Sequence, residues 1–252
     1  MTTSKTTTPT AVDQADENVN LARFLSAKPS FGWFSVWLVG QTPLITHAWS
    51  EKAKREMLSK QAKGIKAGKD ARDPTADYVA SLYRMADDVY GFPAMGIKNC
   101  ILSAAHKDKG LPRTTAQSAF WIKHEMVRVA PALAGAICDM PLVRIHGSPP
   151  QMREDMVRVG SGLNKTASLA YRAQFTTWAI RLEAKFNMSI LNEVALEFLM
   201  TEAGAAYGIG EWRPEKKGTF GSFKIADAAE TAAWDDFASG RGPLPMNTST
   251  MI

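Results

Sequence analysis

Cysteine is scarce in this sequence, in which Cys100 and Cys138 are the only two among 252 residues. Two cysteines cannot form a disulfide framework, and neither has the paired Cys/His spacing that a tetrahedral metal site needs. We therefore expect reduced, buried thiols and no metal. No apolar run reaches membrane-spanning length, and the N-terminus lacks the basic-then-apolar order of a signal peptide. These absences predict a cytoplasmic protein without membrane association.

Motifs of several enzyme classes are also missing. The sequence has no Walker-type phosphate loop, no HExxH and no GxSxG. Glu154 and Asp155 are adjacent, so in a strand they point to opposite faces and cannot bind one metal together. We interpret them as partners of the flanking arginines. His47 follows the first predicted strand and is a candidate general base, but the sequence shows no partner for it. We predict binding without catalysis, and no cofactor.

The composition predicts a substantial core and a modest preference for anionic partners. Hydrophobic residues make up 45% of the chain, the net charge is +5 and the isoelectric point is near 9.2. We predict a disordered lead-in at residues 1–20, one domain at 21–225 with a helical insertion at about 50–135, and an acidic, aromatic tail at 226–252. Both termini are expected to be flexible. The tail is either idle or docks on a basic groove or a neighbouring subunit.

Strand and helix signals define the predicted fold. Phe31–Val39 is dense in aromatic and β-branched residues and predicts a core strand, and Leu142–His146 predicts a second. From Trp178 to Phe186 apolar and charged residues alternate, after a phase change near Thr177 that indicates a bend. Asn192 can cap the next helix, which leads into a glycine-rich loop and a last strand. This order predicts an α+β fold with a ferredoxin-like, split βαβ core. In that helix we expect Val194, Ala195, Phe198 and Leu199 to face inward.

The glycine-rich loop is the most distinctive stretch, and it reads GIGEWRPEKKGTFGSFKI from Gly208 to Ile225. Its glycines allow positive φ and let another backbone approach closely. If that backbone is a nucleic acid, the loop cations neutralise phosphates and the tryptophan stacks on a base. The alternative is a hairpin or crossover loop with a solvated basic tip. The backbone-approach candidates are Gly208, Gly210, Gly218 and Gly221, and the binding candidates are Trp212, Arg213, Lys216 and Lys217.

Two further groups of cations are candidate phosphate contacts. The segment from Glu51 to Arg72 holds eight Lys or Arg against three acids, and it is either a basic arm or a solvated helix face. Its candidates are Lys52, Lys54, Arg55, Lys60 and Lys63. A second patch is predicted from Arg153, Arg158 and Arg172.

Four motifs, PLITHAWSEKAKREML, GFPAMG, MREDMVRVG and GIGEWRPEKKGTFGSF, resemble a family of proteins encoded in tailed-phage and prophage genomes, over roughly residues 30–225. More distantly, the loop is similar to the glycine-rich loop of the repeat-associated RNA-binding superfamily, which includes the backbone subunits of CRISPR surveillance complexes. That resemblance implies binding of single-stranded RNA by subunits that often form helical filaments. The loop departs from the superfamily pattern at Trp212, Pro214 and Glu215, where small and basic residues are typical.

These observations together predict a phage-type nucleic-acid-binding protein. We expect it to coat single-stranded DNA or RNA, rather than duplex, as a homo-oligomer or filament in recombination, replication or genome protection. The alternative is a structural, assembly or host-interaction protein that assembles without nucleic acid. A nuclease relying on His47 is a third hypothesis.

Overall fold

The part of the chain that the computed structural model describes, residues 30–63, 73–107, 110–131, 133–160 and 166–246, contains eleven strands and six α-helices. The strands are β1 (Phe31–Gly40), β2 (Leu44–Thr46), β3 (Arg84–Ala86), β4 (Val89–Pro93), β5 (Phe120–Ile122), β6 (Glu125–Arg128), β7 (Asp139–Gly147), β8 (Gln151–Val159), β9 (Thr166–Phe175), β10 (Trp178–Asn187) and β11 (Phe223–Ile225). The helices are α1 (Glu51–Lys63), α2 (Pro74–Ala80), α3 (Ala94–Lys107), α4 (Arg113–Gln117), α5 (Glu193–Glu202) and α6 (Ala228–Ala238). A π-helical turn, Ala203–Tyr207, extends α5, and a 3-10 turn covers Pro214–Lys216. The lead-in predicted at 1–20 lies outside the described residues.

Two interlocked strand–helix–strand units form the centre of the fold. The first unit is β1-α3-β7 and the second is β10-α5-β11, and their strands lie in the order β11-β1-β10-β7. Every neighbouring pair in this order is antiparallel. Each unit therefore has a strand of the other unit between its own two strands, which is the split βαβ arrangement. The predicted α+β, ferredoxin-like core is confirmed.

The main core lies between this sheet and helices α3 and α5. On β10 the alternating residues Trp178, Ile180 and Leu182 are fully buried, because every second side chain points to the helical side of the sheet. On α3 the stripe that includes Ile97 and Ile101 is buried against them. Each such side chain contributes about 1.5–3 kcal/mol of transfer free energy on burial.

Helix α5 begins where the sequence predicts but buries a different face. Asn192 is the N-cap, and its Oδ1 accepts from the Ala195 amide at 2.8 Å. Leu199 faces inward as predicted, together with Leu196 and Met200, but Val194 is 75% exposed and Phe198 is also exposed. The inward prediction for Val194 and Phe198 is therefore wrong. The apolar residues of this helix surround more than one face, so their spacing alone does not select the buried one.

The predicted helical insertion at about 50–135 contains both helices and strands. Helices α1, α2 and α4 fall within it, and so do β3 to β6, which widen the main sheet. Strand β4 pairs with β7, β3 with β4, β5 with β10 and β6 with β7. Helix α3 lies in the same range of the sequence, but it packs in the main core as the crossover helix of the first unit.

A second sheet, in the order β2-β9-β8, stands beside the main one. Its hairpin β8-β9 is inserted between β7 and β10, and the chain bends at residues 176–177 where it returns to the main sheet. This bend agrees with the phase change near Thr177 in the sequence. Ser81 connects the sheet to α2, because its Oγ donates to the Tyr78 carbonyl at 2.7 Å and accepts from the Ala173 amide at 2.8 Å.

The acidic, aromatic tail forms helix α6, which packs on the face of the main sheet opposite α3 and α5. Trp234 is buried there against Trp37, with ring centroids 6.0 Å apart. The Trp37 Nε1–H donates to Asp235 at 3.0 Å. Lys224 on β11 pairs with Glu230 at 2.8 Å. The aromatic residues in the described part of the tail therefore cover the chain's own sheet, and docking of the tail on a groove or a neighbouring subunit stays a prediction.

Trp234→Ala should lower the free energy of unfolding by about 3–5 kcal/mol, because it removes a fully buried aromatic ring. Urea unfolding followed by circular dichroism measures the change. Trp33→Ala is the matched control, since Trp33 is 66% exposed on the same sheet face and should cost no more than about 0.5 kcal/mol. Equal effects of the two substitutions would contradict the docking of α6.

Candidate nucleic-acid interface

The glycine-rich loop is held by backbone hydrogen bonds to the segment around β2 and to itself. The bonds run from the amide of Glu211 to the Ile45 carbonyl (3.0 Å), from Gly221 to Pro43 (2.9 Å), from Phe220 to Trp212 (3.0 Å) and from Ile209 to Gly221 (2.9 Å). These bonds satisfy polar groups that a surface loop would otherwise leave to water. The loop therefore connects the second sheet, through β2, to the end of α5 in the main core.

The four candidate glycines are sites of close backbone approach, and the approaching backbone in this structure is the chain's own. A Cβ on Gly221 would lie 1.8 Å from the Ile209 carbonyl oxygen, and one on Gly210 would lie 2.5 Å from that of Ile45. A Cβ on Gly218 would meet the Trp212 oxygen at 1.7 Å. Gly208, Gly210 and Gly221 also have positive φ. The predicted approach of a nucleic-acid backbone to these glycines stays a prediction.

The loop cations differ in whether they have hydrogen-bond or ion-pair partners within the chain. The Arg213 guanidinium donates to Glu215 at 2.9 Å and to the Gly210 carbonyl at 3.1 Å, so it supports the loop from within. The Lys216 side chain is exposed and forms no hydrogen bond or ion pair with the described residues. Trp212 and Lys217 are also exposed, and both have positive φ. Lys216 and Lys217 are therefore the loop cations available to a ligand.

A cleft of about 520 Å³ opens between the loop, β4 and α3, and we name it the loop cleft. Positive or potentially positive side chains in its lining come from segments far apart in the sequence: His47, His106, Lys107, Arg113, Arg213 and Lys216. Its acids are Glu211 and Glu215. Burial raises the pKa of Glu215, but the hydrogen bonds from Arg213 and Lys107 outweigh that effect and lower it. The acids thus remain ionised and hold part of the cationic lining in place.

His47 has a partner that the sequence does not reveal. Its Nδ1 lies 3.2 Å from Glu211 Oε1, and its carbonyl accepts from the Tyr83 hydroxyl at 3.1 Å. The hydrogen bond with His47 lowers the pKa of Glu211, burial opposes this, and the charges of Arg172 and Arg213 add to the lowering. The pair ties the loop to the chain just after β2.

Cys100 also lines the loop cleft, but its thiol is not poised to react. Burial raises its pKa to about 12, and the Sγ–H donates to the Ala203 carbonyl at 3.3 Å. A thiol with so high a pKa is almost entirely protonated at neutral pH and is a poor nucleophile. Cys100 therefore contributes to the cleft through packing and not through thiol chemistry.

The predicted second patch is divided between the two faces of hairpin β8-β9. Arg153 and Arg172 are directly opposite each other across the hairpin and share a face. Arg158 is exposed and lies five positions from Arg153, so strand alternation turns it to the other face. Arg153 donates to Asp155 at 2.9 Å, as interpreted from the sequence, and stacks on Phe220 at 4.6 Å. It thereby connects the hairpin to the loop.

A second cleft, of about 460 Å³, lies between α1, α2 and hairpin β8-β9, and we name it the strand cleft. His47 belongs to the lining of both clefts, so they meet at this residue. Trp49 lies in its lining with 61% of its surface exposed. Arg172 is in the lining as well, and its Nε and Nη1 are shielded from solvent without a hydrogen-bond partner.

The predicted basic arm begins as helix α1, on which two candidate side chains are described. Lys54 Nζ donates to the Ala130 carbonyl at 3.0 Å, and Arg55 pairs with Glu51 one turn away at 3.0 Å. Both cations therefore have intramolecular partners. The side chains of Lys52, Lys60 and Lys63, and the second half of the arm, lie outside the described residues.

Sequence reasoning missed Trp49, His106, Lys107 and Arg113. The sequence did offer a signal for His106 and Lys107. Both lie in the last turn of the helix that begins at Ala94, and a core helix places its last turn at the edge of the core. Among the described residues, no group of three or more His, Cys, Asp or Glu side chains is arranged to hold a metal ion. No helix in the same part of the chain has the length and apolar character needed to span a bilayer.

Comparison with known proteins gives distant structural similarity alone. No protein-family model matches the sequence, and no curated protein matches it. One similar solved structure is a Type III-B Cmr-beta complex bound to cognate target RNA, with 10% identity, 85% of this chain covered and a TM-score of 0.38. This chain spans 65% of that chain. Another is Cmr6 from Pyrococcus furiosus, with 9% identity, 79% of this chain and 100% of that chain covered, and a TM-score of 0.38.

Gly221→Ala should destabilise the protein by about 3 kcal/mol, because it adds a steric clash with the Ile209 carbonyl to the strain of a positive φ. Gly240→Ala is the matched control, since Gly240 has φ +74° and open space around the position of a Cβ. We expect Gly240→Ala to lower the free energy of unfolding by about 1 kcal/mol, because of the positive φ alone. Thermal and urea unfolding measure both; a Gly221 variant no less stable than the control would contradict the tight packing of the loop.

Proposed function

We propose that this protein binds single-stranded nucleic acid along the loop cleft and the strand cleft. The observation that carries the proposal is the convergence of cations from α3, α4 and the loop on one concave surface. Arg113 and Lys216 in that surface form no side-chain hydrogen bond or ion pair with the described residues. Unpaired cations in a cleft focus positive potential and attract phosphates.

The arrangement of the two clefts favours a single strand over a duplex. Both clefts are lined by His47, and in our proposal a strand passes over this residue from the loop to hairpin β8-β9. An exposed aromatic residue, Trp49, lies on that path, and unpaired bases stack on such side chains while paired bases are not accessible to them. Positive charge and aromatic surface in one groove are the usual features of single-strand binding.

The wider role in our proposal is that of a phage-type protein in the bacterial cytoplasm that coats RNA or DNA as an oligomer or filament, in recombination, replication or genome protection. The support for this role is the resemblance of four sequence motifs to tailed-phage proteins and of the loop to the repeat-associated RNA-binding superfamily. The proposal includes no cofactor.

A self-assembling structural protein is the second candidate function. It is favoured by an aromatic patch on the main sheet beside α6, formed by Phe31, Trp33 and Trp121, whose side chains are all exposed. Phe31 and Trp121 are in edge-to-face contact at 5.8 Å. Exposed aromatic clusters of this kind are typical of protein interfaces. The ultraviolet absorbance ratio of freshly purified protein separates the two candidates, because co-purified nucleic acid favours the first and clean oligomers favour the second.

The double variant Arg113→Glu/Lys216→Glu should reduce affinity for a labelled single-stranded oligonucleotide by about tenfold or more at low salt. Two phosphate contacts are lost, so the slope of log affinity against log salt should fall by about 1.4. Neither residue has an intramolecular ion pair in the described structure, so folding should be unaffected. Fluorescence anisotropy at several salt concentrations measures both quantities for RNA and DNA.

Lys185→Glu is the control for this experiment. Lys185 is on β10 with its side chain 4.2 Å from the Phe31 ring, on the sheet face away from α3 and the loop. Its charge reversal alters the net charge without touching either cleft. An equal loss of affinity in the control would show that net charge, and not the loop cleft, determines binding.

We propose binding without cleavage, in which the His47–Glu211 pair holds the loop against β2. Wild-type protein incubated with labelled RNA in a metal chelator should therefore leave the strand intact on a denaturing gel. His47→Ala should lower the melting temperature, because the pair that joins the loop to the chain after β2 is removed. Metal-independent cleavage by the wild type that disappears in His47→Ala would instead establish His47 as a catalytic base.

A further inference from the structure

Arg172 is a charged side chain in the strand cleft whose partner is missing from the described structure. Its Nε and Nη1 are shielded from solvent and donate to no acceptor among the described residues. Buried polar atoms in native proteins are almost always hydrogen-bonded, and a shielded cation without a partner is costly. Because these atoms are shielded, a ligand anion recovers that cost only if the guanidinium turns toward the strand cleft, to whose lining Arg172 belongs.

The neighbouring charges do not supply that acceptor. Arg153, directly across the hairpin, is satisfied by Asp155 and Gln174, each at 2.9 Å. Glu211 is close enough for the charge of Arg172 to lower its pKa, but it forms its hydrogen bond with His47 and no ion pair with Arg172. The Arg172 guanidinium therefore has no hydrogen-bonded carboxylate among the described residues, although Glu211 is close enough to attract it.

The rest of the strand cleft suits a planar, partly apolar group next to an anion. Trp49, Met57 and Val157 contribute apolar surface, and the indole of Trp49 is largely exposed. Asp77 offers carboxylate acceptors in the same lining. A nucleotide combines these requirements, because its base stacks on aromatic rings, its amino groups donate to acceptors, and its phosphate accepts two parallel hydrogen bonds from a guanidinium.

We propose that the strand cleft is a subsite for one nucleotide of the bound strand, with the phosphate on Arg172 and the base against Trp49. This inference rests on the proposed function, because the nucleotide is taken to be part of a strand that continues into the loop cleft at His47. It names Trp49, and not Trp212, as the stacking residue. It also assigns to Arg172 a phosphate contact inside the strand cleft and not on the open surface.

The first test is thermal unfolding of Arg172→Met with and without uridine monophosphate, inorganic phosphate or uridine. In wild-type protein the melting temperature should rise most with uridine monophosphate, less with phosphate and least with uridine. Arg172→Met should lose the response to phosphate and most of the response to uridine monophosphate, because both depend on the guanidinium.

Arg158→Met is the matched control, an identical substitution on the opposite face of the same hairpin. It should keep the wild-type melting temperature and the wild-type response to uridine monophosphate. An undiminished response to uridine monophosphate in Arg172→Met would overturn the subsite. An equal response of the wild type to phosphate and to uridine monophosphate would also overturn it, because the base would then contribute nothing.

Trp49→Leu provides a second test that does not depend on Arg172. Because Trp49 is mostly exposed, this substitution should leave the ligand-free melting temperature unchanged while weakening oligonucleotide binding about tenfold, as expected for the loss of one stacked base. If strand binding is lost in the Arg113/Lys216 variant but unchanged in Trp49→Leu and Arg172→Met, the proposed function stands and the subsite is wrong. If wild-type protein binds no oligonucleotide, the proposed function itself fails.

Discussion

The contact between the glycine-rich loop and the segment around β2 is the constraint on which the loop cleft depends. Two backbone hydrogen bonds, from Glu211 to Ile45 and from Gly221 to Pro43, fix the distance between the main core and the second sheet. The distances to a Cβ at Gly210 and Gly221 leave no room for a side chain at either position. The loop can therefore close on β2 only because glycine occupies these positions, and the loop cleft, one wall of which is the loop, depends on that closure.

The arginines show that residues of one type can differ in their partners, because some pair with a carboxylate of the chain and one does not. Arg213 and Arg153 each have a nearby carboxylate, Glu215 and Asp155 respectively, and their charges hold the loop and connect it to the hairpin. Arg172 has no such acceptor, and this difference follows from position and not from residue type. A count of basic residues in the sequence cannot make this distinction, because the acceptor is supplied by tertiary structure.

The parts of the fold that could be predicted from the sequence are those encoded by local patterns. Strand alternation from Trp178 to Phe186 and the N-cap at Asn192 need only neighbouring residues, and both are present in the structure. The partner of His47 is 164 positions away, and no local pattern reports it. Strand alternation alone could have predicted that Arg158 and Arg153 lie on opposite faces of the hairpin, because the two residues are an odd number of positions apart.

In the proposed function the two clefts supply different components of binding, and this division has a consequence for selectivity. The loop cleft offers cations to phosphates, an interaction that is strong at low salt and independent of base identity. The strand cleft offers a ring, apolar walls and one shielded guanidinium, which respond to the shape and stacking of a base. Affinity should thus depend mainly on the loop cleft, and discrimination between bases should depend mainly on the strand cleft. Because His47 lines both clefts, the proposed strand has only this residue to cross between them.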